Sequence, residues 1–316
     1  MMSIIRCVFL SIVFFIFFLY PSCAASEVSH YEEATRYYGE GEIQKSISEC
    51  LAALEINPSY APAYNGLGVC CSALGELDKA MEYFRKAAEL EPDLAKTYIN
   101  MGNIYMMKSD IPSAIDNYER ALSLQEDSIE AHTGLGDAYS QNGWLTAARE
   151  EYQTVLKVEP LNQSIWFKLG KLYYSQNMLE ESALCFEKIL RLNPSNASVY
   201  VALGSVYQKE YKYGLAIEYY KRALELNLSV PEVYVNIATC YMNSKDMKTA
   251  LYYCEEAKKS DRLYPDIYYN LGIIYQEEGK SDEAIENFNK YLELSPEGSY
   301  VKDINTRLEH LLDSDN

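Results

Sequence analysis

Three histidines, His30, His132 and His310, are the side chains of this sequence best suited to move a proton near neutral pH, and they stand far apart in the chain. Beyond residue 25 the cysteines are Cys50, Cys70, Cys71, Cys185, Cys240 and Cys254, and none forms the CxxC pair of a zinc site. The stretch YNLGIIYQEEGKSDEAIENFNKYLELSP, Tyr269–Pro296, holds no Ser-His-Asp set, no metal-ligand spacing and no phosphate loop. It does hold small residues, aromatics and a closing proline at set offsets. The chemistry expected of such a chain is recognition, with no catalytic residue, metal or cofactor.

The offsets belong to a ruler that runs through most of the chain. At every multiple of 34 the residue is small: Ala34, Gly68, Gly102, Gly136, Gly170, Gly204, Ala238, Gly272. With only 15 glycines in 316 residues, chance does not produce this run. The same step from Pro58 meets Pro92, Pro160, Pro194 and Pro296. Four residues before the small position stands an aromatic or a histidine, from His30 to Tyr268. Sixteen after it stand Cys50, Phe84, Tyr118, Tyr152, Phe186, Tyr220, Cys254 and Phe288. Tyr268, Leu271, Gly272 and Tyr275 follow the i, i+3, i+4, i+7 rule of one apolar helix stripe. Glu278-Gly279-Lys280 breaks that helix, Ser281 is expected to cap the next, and Ala284, Phe288 and Tyr291 carry a second stripe. Pro296 ends the unit. Each unit reads as two antiparallel helices and two turns, with Gly272 and Ala284 small so that the helices approach closely.

Aromatic-x2-Leu-Gly-x2-Tyr, then Ala-x3-Phe, then Pro, at this period, resembles the tetratricopeptide repeat. The resemblance covers 27–298. It implies an all-α, right-handed superhelical solenoid of eight repeats: 27–60, 61–94, 95–128, 129–162, 163–196, 197–230, 231–264 and 265–298. The first is the poorest match, with His30, Glu33, Ser46 and Cys50 at consensus sites. Residues 299–316 read as a capping helix and tail, with Val301, Ile304, Leu308, Leu311 and Leu312 on one face. Most of the 30 tyrosines then belong to the core. Cys50 could meet Cys70 or Cys71, and Cys240 could meet Cys254, as disulfides; the other reading makes them small buried hydrophobes.

The resemblance also implies that the first helix of each repeat lines a concave groove. The family's groove positions fall on Lys96, Asn100 and Asn103 in the third repeat, and on Phe167, Lys168, Lys171 and Tyr174 in the fifth. They fall on Gln208 and Lys209 in the sixth, Asn236 in the seventh and Asn270 in the eighth. Phe167, Lys168, Lys171, Tyr174 and Lys209 make a basic, aromatic spot suited to a peptide carboxylate or an acidic segment. Asn100, Asn236 and Asn270 share the sixth position, where a side-chain amide can hold an extended backbone; Gly134, Lys168 and Ala202 break that ladder. The alternative for both sets is an ordinary solvated helix face. No repeat joins Lys at the fifth position to Asn at the ninth, as cytosolic chaperone adaptors do: Asn103 stands at the ninth but Ile99 at the fifth.

Arg6, then the apolar run CVFLSIVFFIFFLY, then PSCAAS read as a secretory signal peptide over residues 1–25. As a helix the run would span about 21 Å, short of the ~30 Å hydrocarbon core. A retained anchor helix and a lipidated Cys23 are the other readings. Export would permit disulfides. Asn162, Asn196 and Asn227 stand in N-x-S contexts and would accept glycans only on a eukaryotic secretory route. A net charge of −18 argues against nucleic acid, whose affinity rests on Lys and Arg. The expected protein is exported, to the periplasm or cell envelope in a bacterium and into the secretory pathway in a eukaryote. Its expected role is a non-catalytic scaffold that binds a protein or peptide partner, in assembly of an envelope, secretion or pilus complex. Membrane contact would come only through the N-terminal segment, and self-association through the end repeats. The rival roles are a regulatory or targeting subunit of a glycosyltransferase-type enzyme, and a lipid- or carbohydrate-binding module; only 18 residues follow position 298, too few for a catalytic domain.

Overall fold

A computed structural model of the chain describes residues 26–313. The readings for residues 1–25, Cys23 included, lie outside the described residues. Two compact units divide the chain between Glu151 and Tyr152, and the described residues form seventeen helices and no strand. In the first unit α1 (Glu27–Gly39) pairs with α2 (Ile43–Ile56), α3 (Ala61–Ala73) with α4 (Leu77–Leu90), and α5 (Ala95–Met107) with α6 (Ile111–Leu124). Next come α7 (Ile129–Gln141) and α8 (Leu145–Val158), inside which the boundary falls. In the second unit α9 (Gln163–Ser175) pairs with α10 (Leu179–Leu192), and α11 (Ala197–Lys209) with α12 (Tyr213–Glu225). There α13 (Pro231–Asn243) pairs with α14 (Met247–Ser260), and α15 (Pro265–Glu277) with α16 (Ser281–Leu294), on which α17 (Val301–Asp313) packs. Second helices also meet the next first helix, as α2 meets α3 in the first unit and α12 meets α13 in the second. The fold is an all-α repeat solenoid.

The small residue, position 8 of each repeat, is small because of a ring. A Cβ built on Gly68 would stand 2.5 Å from the Phe84 ring, and one on Gly204 would stand 2.5 Å from the Tyr220 ring. Gly102 faces Tyr118, Gly170 faces Phe186 and Gly272 faces Phe288 in the same way. The ring at position 24 therefore occupies the volume of the missing methyl group. Where position 24 is cysteine, position 8 is alanine: Ala34 goes with Cys50 and Ala238 with Cys254, all of them buried. The closeness expected between helices is thus a ring lying over a glycine. Position 20 tolerates serine because its hydroxyl has a partner: Ser46 Oγ donates to the Ala34 carbonyl at 2.7 Å, and Ser182 Oγ to that of Gly170 at 2.9 Å.

Both helices of a repeat are joined by a turn whose position 15 is left-handed in all eight. Gly41, Gly75, Gly143 and Gly279 take φ of 73–80°. Ser109, Asn177, Tyr211 and Lys245 take φ of 60–65°, a region that disfavours any side chain. At the last such turn Lys280, not Ser281, is the N-cap of α16, and no side chain caps that helix. Asn162 and Asn196 cap α9 and α11 with their side-chain oxygens.

The first repeat departs from the pattern for a physical reason. In α3 the outward face buries Leu67 and Cys70, but α1 carries Glu33 and Arg36 at the same places, exposed and paired at 2.5 Å. That face is polar, as a solenoid's outer face must be.

All six cysteines among the described residues are free and buried. Cys70 Sγ lies 3.3 Å from Ser46 Oγ, while Cys50 faces Gly66. On antiparallel helices this puts the Cys50 and Cys70 thiols a turn out of step. Burial pushes the thiols of Cys50, Cys185, Cys240 and Cys254 up to about 12. In the unfolded chain they ionise near pH 8.5. Above that pH the unfolded state binds fewer protons than the folded one, so stability falls as pH rises. The buried Tyr118 and Tyr220 hydroxyls, also raised by burial, add to the loss. The urea midpoint is expected to be lower at pH 10.5 than at pH 8; an unchanged midpoint would contradict this burial.

Candidate interaction surfaces

The predicted groove residues sit on the first helices, and the structure turns some of them inward. Asn100 is buried, and its Nδ2 donates to Asn65 Oδ1 at 2.9 Å, tying α5 to α3. Asn270 is buried likewise: its Nδ2 donates to Thr239 Oγ1 at 3.0 Å, tying α15 to α13. The sixth position thus faces the preceding first helix, and its amide is engaged there. Asn236 is half-buried. Lys96 forms an exposed ion pair with Glu130, one repeat on. Asn103 is exposed and its Oδ1 accepts the Tyr118 hydroxyl at 2.6 Å. Gln208 accepts the Tyr220 hydroxyl at 2.7 Å. In both cases the buried ring that fills the glycine hollow ties its hydroxyl to a side chain of the first helix.

In the second unit Tyr174 and Lys209 come together. Lys209 Nζ lies 4.5 Å from the Tyr174 ring centroid and donates to the Tyr174 carbonyl at 3.2 Å. That carbonyl belongs to the last turn of α9, where a cation is favoured. Phe167 is half-buried, its ring 5.5 Å from that of Phe186. Lys168 is half-buried and engaged within the protein. Lys171 is exposed on the same helix. Two cavities of about 380 Å³ open along the first helices, one in each unit. One includes Lys96, Asn100 and Glu130 in its lining, the other Thr239, Asn243, Tyr269 and Asn270.

Sequence reasoning assigned the aromatics at position 4 to the core and overlooked their polar ends. Tyr98 donates its hydroxyl to the Pro92 carbonyl at 3.1 Å, Tyr200 to that of Pro194 at 3.2 Å, and Tyr268 to that of Arg262 at 2.8 Å. Trp166 Nε1 donates to the Pro160 carbonyl at 2.9 Å. His132 Nε2 bonds the Glu126 carbonyl at 2.9 Å, and its Nδ1 pairs with Glu151 at 2.6 Å. His30 pairs with Glu49 at 2.5 Å. The signal was present: all eight residues there are Tyr, Trp or His and none is Phe. The bonds of Tyr98, His132, Trp166, Tyr200 and Tyr268 fasten their first helices to the turn before, while His30 and His132 each hold a glutamate of the second helix of their own repeat.

Two larger clefts, both in the second unit, lie between successive second helices. Positions 4, 7 and 11 of the intervening first helix form their floors. One, of about 620 Å³, is floored by Trp166, Leu169 and Tyr173 between α8 and α10. The other, of about 630 Å³, is floored by Tyr268, Leu271 and Tyr275 between α14 and α16.

Helix pairs repeated at a constant period, each closed by a ring over glycine or a cysteine over alanine, define a helical repeat protein. A TPR repeat model matches residues 102–143, 136–177 and 170–210. Two tetratricopeptide repeat models match 61–94 and 265–297, and 197–229 and 231–262. The chain belongs to the tetratricopeptide repeat family. The matches begin at residue 61, after the repeat with the polar outer face. No curated protein matches the chain. Among solved structures, a tetratricopeptide repeat protein from Parabacteroides merdae is similar at 18% identity and a TM-score of 0.63, over 80% of this chain and 98% of that one. Pseudomonas aeruginosa pilF is similar at 20% identity and 0.55, over 67% and 97%. The Cut9-Hcn1 hetero-tetramer of the APC/C is similar at 16% identity and 0.58, over 85% and 52%. At these identities the likeness is one of fold. Repeats of this family are protein–protein interaction scaffolds, and that is the class of function the chain has.

Proposed function

We propose that this chain is an exported, non-catalytic scaffold that holds a protein or peptide segment along its first helices, in the assembly of an envelope or secretion complex. The leader-like residues 1–25 support export. The observation that carries the binding reading is the Tyr174–Lys209 contact beside the exposed Lys171: a cation over an aromatic face, with a second cation nearby, in a chain of net charge −18. An ammonium group there pairs with a carboxylate, while the ring offers apolar contact. Asn236, itself half-buried, stands on the same succession of first helices.

The test is crosslinking in intact cells with the unaltered chain and with a Lys171→Glu, Lys209→Glu variant. A partner held at this surface is expected to be captured by the unaltered chain and recovered with on the order of tenfold lower affinity by the variant. Equal capture by both would remove the site.

A further inference from the structure

The two clefts between second helices are the same place in the repeat, so one is a control for the other. Their chemistry is opposite. Between α14 and α16 the walls carry Glu255, Glu283, Glu286 and Glu293, with Lys258 and Lys290. Between α8 and α10 they carry Leu156, Leu184, Lys157, Lys188 and Arg191, with Glu181 the one acid. The fold requires the hollow, but it does not require an apolar, basic lining.

Two departures from the chain's own pattern make that lining. The first is at position 22, which is acidic in five repeats (Glu82, Asp116, Glu150, Glu218 and Glu286), Ser48 in the first, Tyr252 in the seventh and Leu184 in the fifth. Leu184 is 62% exposed, an isobutyl group left in water where an acid is customary. The second is at positions 26 and 29. In three repeats a cation at 26 is matched one turn on by glutamate: Lys86 with Glu89 at 3.2 Å, Arg222 with Glu225 at 2.5 Å, Lys290 with Glu293 at 2.8 Å. In the fifth repeat the glutamate is replaced by Arg191, so Lys188 faces a second cation. Lys157 holds position 29 in the repeat before. Neither Lys157 nor Lys188 is joined to an acid among the described residues, and Arg191 reaches only Glu187, at 3.8 Å. The Trp166 N–H is spent on Pro160, so its ring offers an apolar face.

We infer that this cleft docks an acidic amphipathic segment of another protein, with one or two large apolar side chains over Trp166 and Leu184 and its carboxylates on Lys157, Lys188 and Arg191. Charge selects this occupant. A second copy meeting cleft to cleft would set cations against cations. One meeting the cleft with an acidic patch would make a head-to-tail contact, which runs on as a ring or as an open chain of copies. An anionic lipid surface would repel the rest of a chain of charge −18.

The probe is a fluorescein-labelled amphipathic helix of glutamate and leucine with one tryptophan, read by anisotropy on the full chain. The variant is Leu184→Glu with Arg191→Glu, which installs the residues that other repeats carry and so spares the fold. The probe is expected to bind the unaltered chain, more weakly as salt rises, and on the order of tenfold more weakly to the variant. The variant's thermal midpoint is expected not to fall. The Lys171→Glu, Lys209→Glu protein should bind the probe as the unaltered chain does, which separates this cleft from the groove along the first helices. Equal binding to the variant, or none to the unaltered chain, overturns the inference. Binding to phosphatidylglycerol vesicles in place of the probe overturns it in favour of lipid. Self-association abolished by the variant, without probe binding, overturns it in favour of a second copy.

Discussion

Gly272→Ala is expected to cost about 1–3 kcal/mol, and Phe288→Cys about 3–5 kcal/mol, the usual loss for a large ring removed from a core. Made together they are expected to cost less than the sum, by about 1–2 kcal/mol, a coupling typical of residues in contact. The reason is the shared volume. A methyl on Gly272 has nowhere to go while the fully buried Phe288 ring lies over it, and it acquires room when the ring becomes a thiol. The chain has already made this exchange twice, in Ala34 with Cys50 and Ala238 with Cys254. The reverse exchange should behave alike: Cys254→Phe alone overpacks, and Ala238→Gly beside it relieves the strain. Urea unfolding of the two single variants and the double variant checks the cycle. Strict additivity would show that ring and glycine do not share a space.

The second large effect is at the C-terminal helix. Ile304 of α17 is fully buried against the core that includes Leu271, Phe288 and Tyr291. Around it Tyr300 stacks on Tyr269 at 3.9 Å, and the Tyr269 hydroxyl donates to Asp303 at 3.0 Å. Arg307 bonds both Asp303, at 2.7 Å, and Gln276, at 2.8 Å. Ile304→Ala is therefore expected to cost about 2–5 kcal/mol locally. Because each repeat leans mainly on its neighbours, the loss should appear as faster amide exchange in α15, α16 and α17, and not in α1–α6. Uniform acceleration across the chain would mean a single cooperative unit.

The helix pairs were legible because a period of 34 repeats eight times without interruption, so weak local signals add. The ring-and-glycine pairing was legible too, in the residues sixteen apart, though its cause was not. What position 6 does could not be read, because it depends on the neighbour one repeat back: Asn100 meets Asn65 and Asn270 meets Thr239, pairings that no helical wheel of one segment displays. The cap at Ser281 was misplaced by one residue because the left-handed turn at Gly279 hands the N-cap to Lys280. The cleft at α10 was present in the register, as Leu184 at a position that is acidic in five repeats and Arg191 at one that is glutamate in four. It acquires meaning only once positions 22 and 29 are known to look into a hollow.

The left-handed turns are not shared out evenly. The relaxed ones, with glycine, fall in repeats one, two, four and eight, and the ones carrying a side chain fall in three, five, six and seven. Tyr211, the bulkiest of these, is 79% exposed, so its ring takes nothing back in burial. Among the described residues the first repeat packs on a following repeat alone, and the eighth is backed by the single helix α17 in place of a further repeat. A repeat with company on both sides can be held in a conformation that it would not choose alone. The conformational tension of this chain is stowed where two neighbours clamp it, and its outermost helix hairpins are left to close without effort.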